Sequence, residues 1–343
     1  MRSGCGVSNE MKGFAMKRTL LPLSISLLAA VLVAGCGESP NARGAESADG
    51  EVTELVFAAV PTEQSDELEA SFAPVIAALE QELDIPVSFE AVSSNAGVIE
   101  AQVAERVDVA VYGAFSYHLA REQADVTPVA VDILAPEAEP AIHSYGMVRS
   151  DTTDVESLAD TAGKDVCFTD PASTTGYLAP AAGMIEAGIN PDSDATKVFA
   201  GGHDTAVSSL LAGDCDVAFA AATFIDELLP ARGQLQPDQV EKVWTSPAIP
   251  GPPFVVGNWL PEDMRTKITD TLTKYDAVSA AEAGFCEGAE QPAPEAWGEQ
   301  AGEPSCKWGG TGAFAFVPTD DEAYATIREI CETTQAEVCT AGE

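Results

Sequence analysis

Short apolar segments recur along the chain at intervals that suit a layered fold. Most are roughly four to eight residues long and rich in Val, Ala and Phe, which is typical of strands buried on both faces. They predict strands at 55–60, 87–92, 107–113, 126–132, 165–170, 196–202, 215–221 and 254–260, and the pattern restarts after a segment at 142–149. Turn-forming residues separate these segments, so each strand is expected to end before a change in chain direction.

Helical periodicity fills several of the intervals between the strands. In the interval that precedes the strand at 87, the apolar residues that fall on one helix face are Phe72, Val75, Ile76, Leu79 and Leu83. Further helices are predicted from about Val98 and over 173–187, 205–211, 264–275 and 320–334. Strands that alternate with helices are typical of α/β proteins, in which helices cover both faces of mostly parallel sheets.

The strand–helix pattern runs twice, which predicts two α/β lobes of similar build. Residues 106–110 (RVDVA) and 214–218 (DCDVA) resemble each other, and each leads from a helix into a strand. We assign residues 52–143 and 254–343 to the first lobe and residues 144–253 to the second, with two crossovers bordering a cleft. Ligands of open α/β sheets bind beyond the carboxyl ends of strands, so the turns at those ends are where binding residues are expected.

The N-terminal segment predicts the compartment. Basic residues at Met16–Arg18 precede an apolar stretch at 20–33, which is short for a membrane span. Small residues then lead directly into Cys36, an order that resembles the lipobox of bacterial lipoproteins. We therefore expect residues 1–35 to be the lipoprotein signal peptide, with Met16 as the true start of the protein. Cys36 is expected to be lipidated. The alternative is an ordinary secretory signal with a chance cysteine.

The residues after that cysteine read as a tether. Residues 36–51 are polar, rich in Gly, Ser and Ala, and lack periodicity. The prediction is a protein held at the outer face of a membrane, in the periplasm or outside the cell, through its lipid alone.

Charge excludes some partners. The chain has 343 residues, with 17 Lys and Arg against 55 Asp and Glu, and a net charge of −38. Removal of residues 1–35 takes away four basic residues and one acid, which leaves −41. Such a surface argues against nucleic-acid binding and against adhesion to anionic lipid. Adaptation to high salt and a general solubility bias both remain open as its cause, while 46% hydrophobic residues suffice for a core.

Six cysteines remain after Cys5 and Cys36 are set aside, and none forms a CxxC metal motif. An even number in an oxidising compartment predicts three disulfides, although six cysteines allow 15 connectivities. We expect the pairs Cys286–Cys306, Cys331–Cys339 and Cys167–Cys215. The alternative is six buried free thiols.

The turn at 170–177 (DPASTTGY) carries the strongest binding signal. Ser173, Thr174 and Thr175 stand together at the first turn of a predicted helix, where unpaired N–H groups and hydroxyls can hold an anion without Lys or Arg. The alternative is an ordinary Ser/Thr helix cap, which needs only one hydroxyl.

Two further turns have related features. His203 opens a helix after Gly201-Gly202, where its ring could donate to an oxyanion, and Asp204 could orient that ring or cap the helix. In the first lobe, Tyr112 and Ser116 belong to the turn YGAFSYH (112–118). The alternatives are a surface or capping role for His203 and core packing for the aromatic residues.

Four motifs together resemble the phosphonate- and phosphite-binding component of ABC importers. They are YGAFSY (112–117), DPASTTGYLAP (170–180), GGHDTAV (201–207) with CDVAFA after it, and SPAIPGPPFVV (246–256). The resemblance covers roughly residues 52–330. It implies a two-lobed type II periplasmic-binding fold, α/β in class, that closes on a phosphorus oxyanion.

The resemblance also implies roles for residues and partners. Ser173, Thr174 and Thr175 would hold the oxyanion, His203 would reach across to it, and Tyr112 with Ser116 would line the first-lobe wall. An ABC permease and an ATPase would be the protein partners of a monomer that needs no cofactor.

Three positions depart from the family pattern. Asn95 stands where the family usually has Tyr, and His143-Ser144 stands in place of Tyr-Ser. The resemblance makes Asn95 and His143 candidate ligand-binding residues at these positions. The turn at 249–253 (IPGPP) lacks the family's acid, which can meet an amino group on the ligand. These departures favour phosphite, phosphate or a small alkylphosphonate over an aminoalkylphosphonate.

Three other functions fit parts of the sequence. A hydrolase or transferase could use Ser173 and His203, although no GxSxG, HExxH or phosphate-loop motif accompanies them. A metal-binding lipoprotein would need His118, His143 and His203 to converge. A ligand-sensing subunit for a receptor kinase would use the same fold and site. We expect no enzyme activity and no bound metal.

Overall fold

The computed structural model describes residues 52–63, 65–310, 312–334 and 339. The predicted signal peptide at 1–35, the lipidation of Cys36 and the tether at 36–51 therefore lie outside the described residues. No helix within the described ranges is both long enough and apolar enough to cross a membrane.

Fifteen strands are assigned in the described part of the chain. They are β1 Leu55–Ala59, β2 Val87–Phe89, β3 Val109–Val111, β4 Val126–Ile133, β5 Ala141–Ile142, β6 Ser144–Arg149, β7 Asp165–Phe168, β8 Thr196–Phe199, β9 Val217–Ala221, β10 Val240–Thr245, β11 Ile249–Pro250, β12 Pro253–Gly257, β13 Gln291–Pro292, β14 Pro304–Ser305 and β15 Ala315–Pro318.

Nine α-helices accompany these strands in the same part of the chain. They are α1 Ser65–Leu83, α2 Asn95–Val103, α3 Ala114–Arg121, α4 Ala179–Glu186, α5 His203–Ala212, α6 Leu229–Ala231, α7 Glu262–Lys274, α8 Ala277–Glu282 and α9 Ala325–Thr334. Wide π-helical turns at Thr174–Leu178 and Phe224–Leu228 lead into α4 and α6, and short 3₁₀ turns lie at Leu158–Thr161, Glu295–Gln300 and Asp321–Tyr324.

The strands form two mixed sheets. The first sheet has the order β15-β4-β12-β3-β1-β2, in which β1 is parallel to β2 and β3, while β12 is antiparallel to both β3 and β4. The second sheet has the order β10-β6-β9-β7-β8, in which β7 is parallel to β8 and β9, and β6 is antiparallel to its neighbours. Most strands of each sheet run in one direction, as the alternating pattern predicted.

The chain passes between the sheets twice, and the two passages pair with each other. Strand β5 follows the first sheet's β4 and precedes the second sheet's β6, while β11 lies between β10 and β12. The two are antiparallel, with Ile142 opposite Ile249. This topology agrees with two crossovers, and the lobe boundaries at 143/144 and 253/254 stay a prediction.

Aromatic residues fill the core on both sheets. Phe254 packs between Phe72 and Phe316, with ring centroids 6.3 and 4.5 Å away. In the second sheet, Phe168 stacks on Phe219 at 5.4 Å and meets Tyr177 edge-on at 5.1 Å. These contacts fix the strand ends that border the site described below.

The structure adds to or corrects the predicted elements at several places, among them β15 and α8, which were not predicted. Helix α3 was not predicted either, because it spans only eight residues and its first half is interrupted by the weaker helix formers Phe115, Ser116 and Tyr117. The segment at 142–149, which was not assigned to an element, contains two strands separated by His143, since β5 pairs with β11 while β6 pairs with β9 and β10. The C-terminal helix begins with a 3₁₀ turn before α9.

All three predicted disulfides are present. Cys167 pairs with Cys215, Cys286 with Cys306, and Cys331 with Cys339. The second of these closes the Pro- and Glu-rich excursion that carries β13 and β14. The alternative of free thiols is therefore wrong.

Replacing Cys286 and Cys306 together by Ala should lower the free energy of unfolding by about 3 kcal/mol, because the bridge closes a loop of 20 residues. Denaturant unfolding monitored by circular dichroism measures this loss. The matched double variant at Cys331 and Cys339, whose loop spans 8 residues, should lose less. Equal stability of wild type and the first variant would contradict the expectation.

Candidate functional site

A cavity lies where strands of both sheets end. From the first sheet and its helices it is lined by Ala59, Val60, Pro61, Thr62, Leu68, Phe72, Asn95, Val111, Tyr112, Gly113, Asp132, Phe254 and Phe316. From the second sheet and its turns it is lined by Thr169, Ser173, Thr174, Thr175, His203, Ala221, Thr223 and Phe224. Ile142, Pro252, Gly309 and Gly310 complete the lining. The position agrees with the general rule for α/β ligand sites.

The walls of this cavity differ in character. Hydroxyl groups and one imidazole come from the second sheet, whereas Leu68, Phe72, Phe254 and Phe316 make a largely apolar wall on the first. Among the described lining residues there is no Lys or Arg, and Asp132 is the one carboxylic acid. An anion held here would therefore be held by neutral hydrogen-bond donors.

Ser173 is both a helix cap and a cavity residue. Its Oγ accepts a hydrogen bond of 3.0 Å from the Gly176 amide at the start of the π-helical turn. A hydroxyl that accepts one bond still has its own hydrogen to donate, so capping and ligand binding are compatible. Both interpretations of this serine from sequence thus fit its geometry.

Gly176 is required by close packing under the same turn. A Cβ at this position would lie 1.8 Å from the Thr169 Oγ1, which no side chain tolerates. Thr169 is itself buried and lines the cavity, and its Oγ1 has no hydrogen-bond partner in the described structure. Thr169 was not predicted as a site residue, because the strand predicted at 165–170 included it, whereas β7 ends at Phe168.

Thr174 and Thr175 are held from the other elements around the cavity. The Thr174 Oγ1 accepts a 2.8 Å hydrogen bond from the Phe115 amide in the first turn of α3. The Thr175 carbonyl accepts a 2.6 Å bond from the Ser144 hydroxyl. Each contact joins residues far apart in the chain. The turn that carries Ser173, Thr174 and Thr175 is therefore fixed by tertiary structure as well as by the helix that it begins.

His203 is a buried, neutral donor. Its backbone amide donates to the Thr62 carbonyl at 2.9 Å, and its Nδ1 accepts from the Ala221 amide at 3.1 Å. Burial lowers the pKa of the ring to about 4. Since Nδ1 is an acceptor, the proton of the neutral imidazole resides on Nε2, which can donate to a ligand.

Asp204 does not orient that ring. Its Oδ1 accepts from the Thr205 amide at 2.8 Å, and Asp204 is not among the cavity-lining residues. The Ala221 backbone amide has the role that the sequence analysis offered to Asp204, because the end of β9 packs directly behind the imidazole. Burial raises the pKa of the Asp204 carboxyl.

The first-sheet wall contains two of the predicted residues. Asn95 is the first residue of α2, and its backbone amide donates to the Asp170 Oδ2 at 3.3 Å. Tyr112 is fully buried, and its hydroxyl donates to the Val98 carbonyl at 3.3 Å. Burial raises the pKa of this tyrosine, so its ring contributes a neutral surface.

Ser116 and His143 lie off the cavity wall. The Ser116 side chain points back along α3, where its Oγ donates to the Gly113 carbonyl at 3.1 Å. His143 is exposed between β5 and β6, and its Nδ1 lies 2.9 Å from the Ser246 carbonyl oxygen. His118 is on α3, and no group of three or more potential metal-ligating side chains occurs within the described ranges.

A buried ion pair lies beside the cavity. Arg232, after α6, contacts Glu63 at 2.5 Å and Glu67 at 2.6 Å, and Lys307 lies 3.9 Å from Glu63. The Glu63 side chain is fully buried, and the Ser71 hydroxyl donates to it at 3.1 Å. The Arg232–Glu63 contact is close but lacks aligned hydrogen-bond geometry. It joins segments that follow strands of different sheets.

Replacing His203 by Asn should flatten the pH dependence of stability below neutrality. The folded-state pKa of about 4 is below the usual 6.5, so the unfolded chain binds more protons between these values. Stability from this group is complete above pH 6.5 and falls by roughly 3 kcal/mol as pH drops towards 4. The difference between wild type and variant in denaturant unfolding, measured across this range, isolates the effect.

A matched control for that measurement is the exposed His143. The His143→Asn variant should keep the wild-type slope. If the His203 and His143 variants change the slope alike, burial of His203 is not its cause.

Comparison with known proteins gives the following matches. Residues 57–291 match the model of a family described as "ABC transporter, phosphonate, periplasmic substrate-binding protein". The chain is 35% identical over 320 residues to the phosphate-import protein PhnD of Mycolicibacterium smegmatis, which covers 90% of this chain and 94% of that relative.

Solved structures share the fold at low identity. PhnD1 of Prochlorococcus marinus in complex with methylphosphonate is 17% identical with a TM-score of 0.67, and the match covers 82% of this chain and 98% of that one. The alkanesulfonate-binding protein SsuA of Xanthomonas axonopodis pv. citri bound to MOPS is 15% identical with a TM-score of 0.57, covering 85% and 94%.

Proposed function

Because the chain belongs to the family of periplasmic substrate-binding proteins of ABC phosphonate transporters, we propose that it is the lipoprotein receptor of such an importer and binds a small phosphorus oxyanion in the cavity between its sheets. Its type II periplasmic-binding fold is that of its structural neighbours. The proposed ligands are phosphite, phosphate and small alkylphosphonates.

The observation that supports this proposal most is the convergence of neutral donors on one cavity. Ser173, Thr174 and Thr175 at a helix start and the Nε2–H of His203 come from different elements and line the same space. Hydrogen bonds to an ionised acceptor are about twice as strong as neutral ones, and a helix N-terminus favours negative charge. Such a set can hold an oxyanion without a cation.

Binding without catalysis fits the same geometry. A nucleophilic serine needs a general base within hydrogen-bond reach. The Ser173 Oγ is engaged by the Gly176 amide, and the His203 Nδ1 by the Ala221 amide. Relatives of this chain are substrate-binding transport proteins. We therefore propose a receptor and no hydrolase or transferase.

The proposed location is the outer face of a membrane, with Cys36 as the lipid anchor. The family is extracytoplasmic, and the order of basic, apolar and small residues before Cys36 supports lipidation. The proposed partners are an ABC permease and an ATPase, since a tethered binding protein transports nothing alone.

Isothermal titration calorimetry of the chain from Glu38 onward tests the proposal. We expect tight binding of at least one among phosphite, methylphosphonate and phosphate, with 2-aminoethylphosphonate weaker. The Ser173→Ala and His203→Ala variants should each bind about tenfold or more weakly, because each loses a hydrogen bond to a charged ligand.

The exposed Ser208, which lies five residues after His203 on α5, offers a control. Its replacement by Ala should leave affinity unchanged. The absence of binding heat with all four ligands would overturn the proposal. Thermal melting of each variant separates lost binding from lost folding.

Association of the anion should accelerate with salt. The chain from Glu38 has a net charge of −41, which repels an anion at long range. Salt screens this repulsion beyond about 8–10 Å, whereas the donors act at contact distance. Stopped-flow measurement of intrinsic fluorescence should show association more than about twofold faster in high salt than in low salt. An acceleration of less than about twofold between low and high salt would contradict the repulsion argument.

A further inference from the structure

The turn at 249–253 lacks the family's acid, but a carboxylic acid from another part of the chain, Asp132, lines the cavity. Asp132 lies near the end of β4, is 3% exposed and lines the cavity. Its Oδ1 is 2.7 Å from the point where a Cβ on residue 251 would stand. Gly251 therefore leaves room for a carboxyl group that comes from another strand.

Among the described residues that line the cavity, Asp132 is the only one with a carboxyl group, and none is Lys or Arg. The other titratable side chains that line the cavity are His203 and Tyr112. Burial lowers the pKa of the histidine to about 4 and raises the pKa of the tyrosine, so both are neutral at pH 7. Tyr324 is also near, since its hydroxyl donates to the Gly251 carbonyl at 3.3 Å, and its pKa is raised mainly by burial and further by the charge of Asp132.

Across the cavity, the second sheet supplies the hydroxyls of Ser173, Thr174 and Thr175. An oxyanion bound by those donors would have Asp132 on the opposite wall. A carboxylate repels a fully deprotonated oxyanion, and the repulsion is stronger in a buried site than in water. A ligand that keeps one acidic proton can instead donate it to the carboxylate in a strong, charge-assisted hydrogen bond.

We propose that Asp132 is a specificity-determining residue, which accepts a hydrogen bond from the P–OH group of the ligand and excludes sulfur oxyanions of the same shape. The inference rests on the proposed function, namely that this cavity binds a phosphorus oxyanion. Monoanions of phosphate, phosphite and alkylphosphonates retain a P–OH group. Sulfate and sulfonates carry no proton at neutral pH.

Tetrahedral shape alone does not make this distinction within the fold. Among the solved structures that resemble this chain, one is an alkanesulfonate-binding protein and another is in complex with methylphosphonate. Neutral donors such as those around Ser173 and His203 suit both classes of oxyanion. A carboxylate acceptor on the facing wall suits only the protonated one.

Calorimetry with two isosteric pairs, methylphosphonate with methanesulfonate and phosphate with sulfate, tests the inference on the chain from Glu38 onward. Wild type should prefer the phosphorus member of at least one pair by about 100-fold or more. In Asp132→Asn, the phosphorus ligand should bind about 10- to 100-fold more weakly and the preference should collapse. The Asp204→Asn variant removes an acid near the site that does not line the cavity, and should keep the wild-type preference.

A measurement on wild type alone guards against a variant that fails to fold. The affinity for methylphosphonate should fall as pH rises through the second ionisation of the ligand. Over the same range, any binding of methanesulfonate should show no such fall.

Four outcomes would count against the inference or its premise. Equal affinity of wild type for both members of each pair overturns the role of Asp132 and leaves the proposed function intact. Equal weakening of both members in a folded Asp132→Asn variant assigns this residue a structural role and also overturns it. A preference for 2-aminoethylphosphonate that Asp132→Asn abolishes shows that the carboxylate meets an ammonium instead. If the protein binds none of the phosphorus oxyanions, the proposed function itself is overturned.

Discussion

Hydrogen bonding between the two crossing segments, β5 and β11, is the interaction on which the position of the cavity depends. Each segment is only two residues long, and each links a strand of one sheet to a strand of the other. Their antiparallel pairing places the start of β6 beside the end of β10 and the start of β12 beside the end of β4, so strand ends from both sheets border one space. Ile142 of β5 lines that space, and Pro252 follows β11 into it.

Contacts across the cavity add to this constraint. The amides of His203, Phe115 and Asn95 donate to Thr62, Thr174 and Asp170, respectively. Arg232 meets the buried Glu63, and removal of one partner from a buried pair is costly because the other charge stays buried. A ligand shifts the conformational equilibrium of the protein only through contacts that it makes in one state and not in another.

Local motifs made part of the site predictable from sequence. Ser173, Thr174, Thr175 and His203 stand directly after predicted strands, and residues at such ends line the cavity for topological reasons. Asp132 was not predictable in this way, because its place depends on register with β15 and on Gly251, more than a hundred residues later. Ser116 and His143 lie off the wall because side-chain direction, which motif spacing does not encode, turns each away from it.

Net charge and local chemistry act on different length scales in this protein. The acidic surface governs encounter with an anion, and it weakens with screening by salt. Within the cavity, what matters is the number of donors and acceptors at contact distance, since both the imidazole and the phenol there are neutral. A lysine or arginine would attract every small anion alike and would discriminate little among them. Neutral donors on one wall and a single acid on the other demand a ligand that both accepts and donates, which makes specificity a matter of hydrogen-bond matching.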